Sequence, residues 1–485
     1  MRGKGRLEKF RTILNPDLPN LTSSLRLGRD CKHGGLLLGA ARLKAAEIRP
    51  RLDSARMTAL PKKLLLLFAA VLALQTGVNF ARYFSELAQG GRFGGDFISF
   101  WRAAQRARLG DIAAIYNPDA WRSALSVGTP HDILWFVYPP FALLGLWPLG
   151  RMAYNEAVAW WSLAPLPFYF ALLWLLAKRS GLGGQAAPAG GNLASRILAF
   201  AVLGAFALPF LSANLFSGQT GTWIAVSFLG AAYFWRDRPI LAGICIGLMA
   251  VKPQLGLLFP FALAAAGQWR TIAAAAATVA ALAVAATLWL GAAIWNDYAR
   301  ILELFGGFVG RGYAGIRQLA LGPYVSLQGV GAPAPIAALL QVVISLAVLT
   351  VIVRVFWRGD MGQADPKPDD GRLDLRLGLL AAGALLSTPY SLSYDTPMLA
   401  LAMIPLVARA WRDGWDIAEL VSIAFLVTLP YAQPLLADYH IPFGFCALSL
   451  MFCVLHRRYR QEAPAPRVGA PSRLPSTRPA SLIGG

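Results

Sequence analysis

Apolar runs long enough to cross a lipid bilayer recur along most of this 485-residue chain, and they limit it to few folds. A helix needs about 20 apolar residues to cross the hydrocarbon layer. Only 14% of the residues are charged, far fewer than in an ordinary soluble domain. Backbone polar groups find no water inside a bilayer, so apolar runs of this length form helices. The sequence therefore predicts an all-α polytopic membrane protein.

The positions of lysine and arginine residues predict how the chain is oriented in the membrane. The net charge is +20, and basic residues follow alternate apolar runs, as at Lys178, Arg236 and Arg457. Because Lys and Arg concentrate in cytoplasmic loops, these turns are assigned to the inner side, with both termini cytoplasmic. This pattern gives about 12 spans. The spans are predicted at 64–80, 153–177, 195–216, 221–235, 240–251, 255–266, 271–290, 336–356, 375–386, a tenth ending at Arg409 and Arg412, 418–436 and 442–456.

One short segment decides this topology. The apolar stretch between Pro140 and Pro148 is too short to cross a bilayer, so we expect a half-helix at the outer interface. A full span there would invert every later turn and put the arginines outside. The first outer loop, residues 81–137, is then predicted to carry juxtamembrane helices.

The two ends of the chain differ from its middle. Residues 1–60 are basic and residues 459–485 are rich in Pro, Ser and Arg, which is typical of disordered tails. We expect both tails in the cytoplasm, flanking a transmembrane domain over 61–458. Met57 is an alternative start, in which case residues 1–56 are not translated.

Cysteine and histidine give no sign of a cofactor. The four residues of each type are scattered without metal-ligand spacing, so neither a metal site nor a disulfide framework is predicted. The positive charge is explained by inner loops at a membrane, and we expect no nucleic-acid partner.

Unusual polar residues converge on the predicted outer side, where one cavity could collect them. They are Asp96, Gln219, Lys252, Gln254, the 324–328 segment and the 390–395 segment. The predicted spans themselves contain almost no Asp, Glu, Lys or Arg. Ion-coupled transporters usually keep such residues near the membrane midplane, so their scarcity counts against a transporter.

Asp96 is the candidate general base. It follows Gly94 and Gly95 and precedes a short aromatic helix that includes Phe97, Phe100 and Trp101. A carboxylate partly shielded by aromatic rings can take a proton from a hydroxyl group. The alternative is that Asp96 only caps this helix.

Lys252, Gln219 and Gln254 are candidate ligands of a lipid phosphate. An ammonium at the membrane rim suits a phosphate, and Pro253 fixes the turn that presents it. Gln219 stands before a helix whose free N–H groups also favour an anion. The alternatives are a lysine whose charged end reaches the membrane surface, and a glutamine that merely begins a helix.

Four further residues could line a substrate cavity together with Asp395. They are Tyr138, Gln328, Tyr390 and Tyr394. Tyr138 precedes two prolines and could line a lipid entrance, or it could be an interfacial anchor. Asp395 could bind a sugar or acceptor, or it could cap the following helix.

A succession of short motifs resembles glycosyltransferase family 87. The motifs are Gly-Asp-Phe at 95–97 with Phe-Trp at 100–101, Gly-Asp at 110–111 with Ile-Tyr at 115–116, Tyr-Pro-Pro at 138–140, Gly-Gln at 218–219, Lys-Pro-Gln at 252–254 and Trp-Arg at 269–270. The resemblance spans about residues 64–456 and leaves both tails outside. That family is similar to C-type, polyprenol-phosphate-mannose-dependent α-mannosyltransferases.

The resemblance implies an inner-membrane enzyme that transfers a hexose, by family default mannose, from a polyprenyl-phosphate donor. The acceptor would be an extracytoplasmic glycan or lipid, the anomeric carbon would be inverted, and Asp96 would be the base. Many C-type enzymes carry an Asp-Asp or Asp-X-Asp pair in this loop, whereas Asp96 stands alone. A tightly held divalent metal is therefore not expected, and neither is another cofactor.

Two other functions stay open at this point. A transporter or flippase would move a lipid-linked sugar without forming a glycosidic bond. A lipid-linked oligosaccharide polymerase or ligase would rely on arginines in a large outer loop, where Arg311 and Arg317 are available.

Overall fold

The structure is a computed structural model. It describes residues 62–89, 95–120, 135–182, 193–310, 314–357, 370–414 and 416–462. Within these ranges the regular secondary structure is helical, as predicted. One isolated antiparallel bridge joins Ala320 to Leu392. The predicted tail 1–60, Gly94, Arg311 and residues 463–485 lie outside the described residues.

Six candidate membrane spans are long and apolar enough to cross a bilayer. They coincide with the first, second, third, seventh, eighth and eleventh predicted spans. Their helices are α1 (Lys62–Ala88), α4 and α5 (Tyr154–Leu163 and Pro165–Arg179, one continuous candidate span), α6 (Leu193–Ser217), α10 (Trp269–Leu290), α14 (Ala334–Phe356) and α17 (Ile417–Ala437). A membrane protein is therefore supported, while the sidedness of these helices stays a prediction.

The other six predicted spans are helical as well, but they are shorter or more polar. They are α7 (Gly221–Phe234), α8 (Pro239–Leu248), α9 (Phe259–Ala265), α15 (Asp370–Leu386), α16 (Ala400–Asp413) and α18 (Phe443–Gln461). A helix that is enclosed by protein does not need to match the thickness of the bilayer. The count of about 12 spans therefore remains a prediction.

The first outer loop contains a short helix, as predicted. The helix α2 (Phe97–Leu109) lies in the predicted loop 81–137 and ends at Gly110 in a left-handed conformation. After this loop comes α3 (Ala142–Leu146), which continues as a 3-10 helix over Trp147–Arg151. The predicted half-helix between Pro140 and Pro148 is thus a short helix that does not span. Three more helices precede α14, namely α11 (Ile294–Gly310), α12 (Ala314–Leu319) and α13 (Pro323–Gly329).

The centre of the helical bundle is formed by α15, α16 and the 3-10 helix Ser393–Leu399 that joins them. Every residue from Leu373 to Thr388 and from Ser391 to Ala408 is buried. Apolar burial on all sides of an element is typical of a core helix. This central segment leads directly to Tyr390, Tyr394 and Asp395.

The hairpin predicted around Lys252 consists of two short helices, α8 and α9, joined by two 3-10 helices, Met249–Val251 and Pro253–Gly256. Glycines let α8 lie close to α10: a Cβ on Gly243 would stand 2.5 Å from the Thr271 carbonyl oxygen. Lys252 lies between the two 3-10 helices and is buried, not exposed at a tip.

Buried ion pairs lie at the ends of the helices that carry the basic turns, and the sequence reasoning missed them. Arg179 donates to Asp374 at 2.6 Å, and Ser180 donates to the same carboxylate. Arg458 donates through Nε to the fully buried Glu419 at 2.6 Å. α18 reaches Gln461 in this region, so it extends past the predicted start of the C-terminal tail at residue 459.

A substitution at Gly221 tests the close packing of the central segment. A Cβ at this position would stand 1.8 Å from the backbone oxygen of Tyr394. We expect Gly221→Ala to lower the free energy of unfolding by about 1–3 kcal/mol or more, because backbone must move apart to admit the methyl group. Thermal unfolding of the purified protein in detergent measures the change.

Gly204 in α6 is the matched control, because a Cβ there meets nothing within 4 Å. Gly204→Ala should be neutral or should stabilise the protein by about 0.5–1 kcal/mol through helix propensity. Equal melting temperatures for the two variants would show that Gly221 does not pack as described.

Candidate functional site

Asp96 is held by the start of α7 and the end of α6. Its backbone N–H donates to the Ser217 carbonyl at 3.0 Å, and its side chain is half-buried. It stands directly before α2 but makes no side-chain capping bond, whereas Ser99 Oγ donates to the Asp96 carbonyl at 2.8 Å. The capping role considered for the Asp96 side chain is therefore wrong, and its carboxylate is used elsewhere.

A chain of hydrogen bonds reaches the Asp96 carboxylate from Tyr138. The Tyr138 hydroxyl donates to Gln219 Oε1 at 2.6 Å, and Gln219 Nε2 donates to Asp96 Oδ2 at 2.6 Å. Tyr138 and Gln219 are both 7% exposed. Because an ionised carboxylate is only an acceptor, a donated N–H stabilises its charged form. Gln219 is thus more than a residue that begins a helix, and Tyr138 is more than an interfacial anchor.

The turn between α6 and α7 fixes the Gln219 side chain. Gly218 adopts φ of +64, a conformation that favours glycine, and its N–H donates to the Asn214 carbonyl at 2.9 Å. The Trp161 indole donates to the Gly218 carbonyl at 3.1 Å. The amide of Gln219 is therefore presented by a turn that is bonded on two sides.

Aromatic rings pack behind the Tyr138 hydroxyl. The Phe100 ring lies 4.8 Å from that of Tyr138 and 5.6 Å from that of Trp161. Phe97 also contacts the Trp161 ring, at 6.1 Å. Trp101, expected to shield Asp96, instead donates its indole N–H to the Met152 carbonyl. These rings keep water from one side of the hydrogen-bond chain.

Lys252 and Asp395 form a buried ion pair. Lys252 Nζ donates to Asp395 Oδ1 at 2.6 Å, and the two residues are 5% and 2% exposed. The ammonium lies 4.6 Å from the centre of the Tyr394 ring, within the range of a cation–π contact. Lys252 is therefore not a lysine that reaches to the membrane surface. The other Asp395 oxygen accepts the Leu392 N–H at 3.2 Å at the start of the 3-10 helix Ser393–Leu399, whereas the capping role was considered for the helix that follows, in the tenth predicted span.

Tyr138, Tyr390 and Tyr394 lie outside the six candidate spans. The Tyr138 hydroxyl bonds Gln219, and the Tyr394 ring contacts the Lys252 ammonium. Burial raises the pKa of all three hydroxyls above the usual range. The negative charge of Asp96 contributes to each raised pKa, and the Lys252 ammonium partly offsets the raised pKa of Tyr390. The tyrosines therefore stay neutral and can donate hydrogen bonds. These mutual effects mean that Asp96 and Lys252 belong to one cluster.

Two predicted ligands lie at the edge of this cluster. Gln254 follows Lys252, and its backbone carbonyl accepts from Thr388 Oγ1 at 3.1 Å. Gln328 lies in α13, whose Val325 shares a hydrophobic cluster with Tyr394. The roles of their side chains as ligands stay predictions.

Asn214 joins the two halves of the site and was missed by the sequence reasoning. Its Nδ2 donates to the Tyr394 carbonyl at 3.2 Å, and its Oδ1 accepts from Thr222 Oγ1 at 2.7 Å. In the sequence, Asn214 is recognisable as a single amide near the end of a long apolar run. In the structure it is 5% exposed. Buried amides require partners, so Asn214 could have been marked as structurally bonded.

The cluster combines two chemical capacities. Asp96 offers a half-exposed carboxylate, and Lys252 offers a desolvated cation beside neutral tyrosine hydroxyls. Among the described residues there is no group of three or more His, Cys, Asp or Glu side chains that could hold a metal ion. The residues present suit proton transfer from a hydroxyl next to an anion.

A comparison with protein families gives one match. The family model described as glycosyltransferase family 87 matches residues 136–367. This match includes Tyr138, Gln219 and Lys252 and begins after Asp96. No curated protein and no solved structure is similar enough to the chain to count as a match.

The buried ion pair can be tested by stability measurements. Asp395→Asn keeps an acceptor for the Leu392 N–H but leaves the Lys252 ammonium buried without a counter-charge. We expect it to cost about 3–5 kcal/mol of unfolding free energy. The double variant Lys252→Met/Asp395→Asn should be more stable than Asp395→Asn alone, because no uncompensated charge remains. If the change in melting temperature of the double variant equals the sum of the changes in the two single variants, the pairing is contradicted.

Proposed function

We propose, on the premise that residues 136–367 of this chain belong to glycosyltransferase family 87, that it transfers a hexose from a polyprenyl-phosphate donor to a hydroxyl acceptor. The family match carries glycosyltransferase activity itself. Mannose as the sugar, an extracytoplasmic glycan or lipid as the acceptor, and inversion at the anomeric carbon are the further parts of the proposal. The active site then faces away from the cytoplasm at the inner membrane.

The observation that carries the mechanism is the Tyr138–Gln219–Asp96 chain of hydrogen bonds. Gln219 Nε2 donates to the carboxylate at 2.6 Å and orients it, and the Tyr138 hydroxyl holds Gln219 in place through a second 2.6 Å bond. Asp96 is half-buried, so it is partly accessible to an acceptor hydroxyl. The arrangement supports Asp96 as a general base.

The proposed reaction is a direct displacement. Asp96 takes the proton of the acceptor hydroxyl while the acceptor oxygen forms a bond to the sugar C1. The bond between C1 and the phosphate oxygen breaks, and polyprenyl phosphate leaves with the electron pair. Positive charge at the leaving oxygen lowers the barrier most where water is excluded.

Lys252 is the residue we assign to the leaving phosphate. Its ammonium has three N–H donors, and the pair with Asp395 uses one of them. Asp395 keeps the cation in place before substrate binds. Gln254 and the second N–H of Gln219 are further donors for the phosphate, whereas Tyr390, Tyr394, Tyr138, Gln328 and Asp395 line the sugar and acceptor side.

The first experiment compares wild type with Asp96→Asn in liposomes. The assay supplies radiolabelled polyprenyl-phosphate mannose and a glycan extract from the host. A well-placed base contributes about 10²–10⁴-fold, so transfer of label should fall by at least that lower factor. Donor binding should change little, because Asp96 contacts the acceptor. Retention of more than about a tenth of the wild-type rate would remove Asp96 from the base role.

Asp111→Asn is the matched control. Asp111 lies in the same outer loop, pairs with Arg106 at 3.2 Å, and is 56% exposed in its side chain. It should keep nearly full activity. If wild type leaves the label on the lipid, other lipid-linked hexoses distinguish a wrong donor from the absence of a transferase.

A second prediction concerns the residues that orient the base. Tyr138→Phe removes the donor to Gln219 Oε1, and Gln219→Leu removes the bond to Asp96. Each should lower kcat about tenfold, since a misoriented base loses part of its contribution. Gln219→Glu sets a second carboxylate beside Asp96 and should move the acid limb of the pH–rate profile upward, because like charges disfavour ionisation.

Tyr83→Phe is the control for the loss of a buried hydroxyl. Tyr83 is fully buried, and its hydroxyl donates at 3.5 Å to Ser162 Oγ, which is not a member of this chain of bonds. Its kcat should match that of wild type. Equal losses in Tyr83→Phe and Tyr138→Phe would show that only packing is affected.

A transporter of lipid-linked sugar is the main rival, and one observation favours it. Buried charges are more frequent than the sequence suggested, as the pairs of Lys252, Arg179 and Arg458 show. Transfer of labelled lipid across the bilayer without a new glycosidic bond would support that rival. A polymerase or ligase would depend on Arg317, which lines a small pocket with Gln433 and His440.

A further inference from the structure

Two arginines at the opposite end of α15 from the candidate site share one aromatic ring. The guanidinium carbon of Arg372 lies 4.6 Å from the centre of the Tyr459 ring, and that of Arg376 lies 5.4 Å from it. The two residues are four positions apart, so they occupy the same face of the helix. Like charges at this spacing repel each other.

Arg376 is the unusual member of this pair. It is 6% exposed, its only hydrogen bond within the described residues goes to the Tyr459 hydroxyl at 3.1 Å, and its buried Nε has no partner. The Tyr459 hydroxyl in turn donates to the Val355 carbonyl at 3.3 Å. No carboxylate in the described ranges forms an ion pair with Arg376.

Two other arginines at this end are each paired with a carboxylate. Arg179 pairs with Asp374 at 2.6 Å, and Arg458 bonds to Glu419 at 2.6 Å. A desolvated guanidinium costs several kcal/mol unless it is paired. Arg376 therefore lacks the anion that its neighbours have, although Asp374 lies only two residues away on the same helix.

We propose that Arg372 and Arg376 form a binding site for a phosphate-bearing anion at this end of the protein. A planar guanidinium can donate two parallel N–H bonds to phosphate oxygens, and the Nε of Arg376 has no partner among the described residues. Arg372 is half-buried, so this member of the pair is partly open to solvent.

This anion is distinct from the phosphate of a sugar donor. α15 has 17 residues and is therefore about 25 Å long, and Lys252 and Asp395 lie past its other end. In the predicted topology the Arg372–Arg376 pair faces the cytoplasm. The proposal does not depend on the proposed function. Its ligand is either the headgroup of an anionic phospholipid or a soluble phosphate.

The test measures the melting temperature of the full chain purified in detergent. One arm adds phosphatidylglycerol or, as comparison, phosphatidylcholine in mixed micelles. The other arm adds inorganic phosphate or chloride at equal ionic strength. A ligand that binds only the folded state raises the melting temperature. We expect phosphatidylglycerol or phosphate to raise it by several degrees, and phosphatidylcholine and chloride to leave it unchanged.

Arg376→Gln should lose most of this shift. Arg457→Gln is the control, because Arg457 is also basic and on α18 but is 41% exposed and pairs with Asp416. It should keep the shift. Arg376→Lys retains the charge without the planar fork, should keep only part of the shift, and replaces the Gln variant if that one does not fold.

Each outcome decides the proposal. A shift with phosphatidylglycerol alone identifies a lipid headgroup, and a shift with phosphate as well identifies a soluble anion. A purely structural Arg376 would lower the melting temperature equally with and without added anion, and this would overturn the proposal. It also fails if wild type responds to neither anion, or if Arg457→Gln loses the shift as fully as Arg376→Gln.

Discussion

The ion pair between Lys252 and Asp395 is the interaction on which the candidate site depends. It joins the junction of α8 and α9 to the 3-10 helix at the centre of the bundle, and both partners are almost fully removed from solvent. Such a pair is costly to bury and is kept only where its geometry is close to ideal. Around it, Asn214 ties the Tyr394 carbonyl to α7 and Gly221 admits that carbonyl without a side chain. The tyrosines, the cation and the turn before α7 therefore have one common support.

The base is supported separately. Asp96 reaches the cluster through Gln219 and Tyr138, and these come from the turn before α7 and from the segment before α3. The two halves make different demands on their surroundings. A base must be reachable by the hydroxyl that it deprotonates, whereas an anion site needs a cation that water does not screen. The fold provides both by leaving Asp96 half-buried while enclosing Lys252.

Much of the helical architecture follows from the sequence, because apolar runs such as 271–290 and 336–356 leave the backbone no alternative to a helix. The gathering of Asp96, Gln219, Lys252 and Asp395 followed from assigning basic turns to one side. The partners of individual side chains could not be predicted from the sequence. The pairing of Lys252 with Asp395 joins residues 143 positions apart, and Asp374 finds Arg179 across 195 positions. No local periodicity encodes such contacts, and a cap and a long-range acceptor look alike in the sequence around Asp96.

The hydrogen bond from the Asp96 N–H to the Ser217 carbonyl has an evolutionary consequence. It holds the backbone of Asp96 against the end of α6, a long helix of the bundle. The loop between α2 and Tyr138 can therefore change in length and composition without moving the carboxylate. Related chains can diversify this loop while Asp96, the proposed base, stays next to α6. Because Asp96 is anchored outside its own loop, the loop can change in evolution without displacing the proposed base.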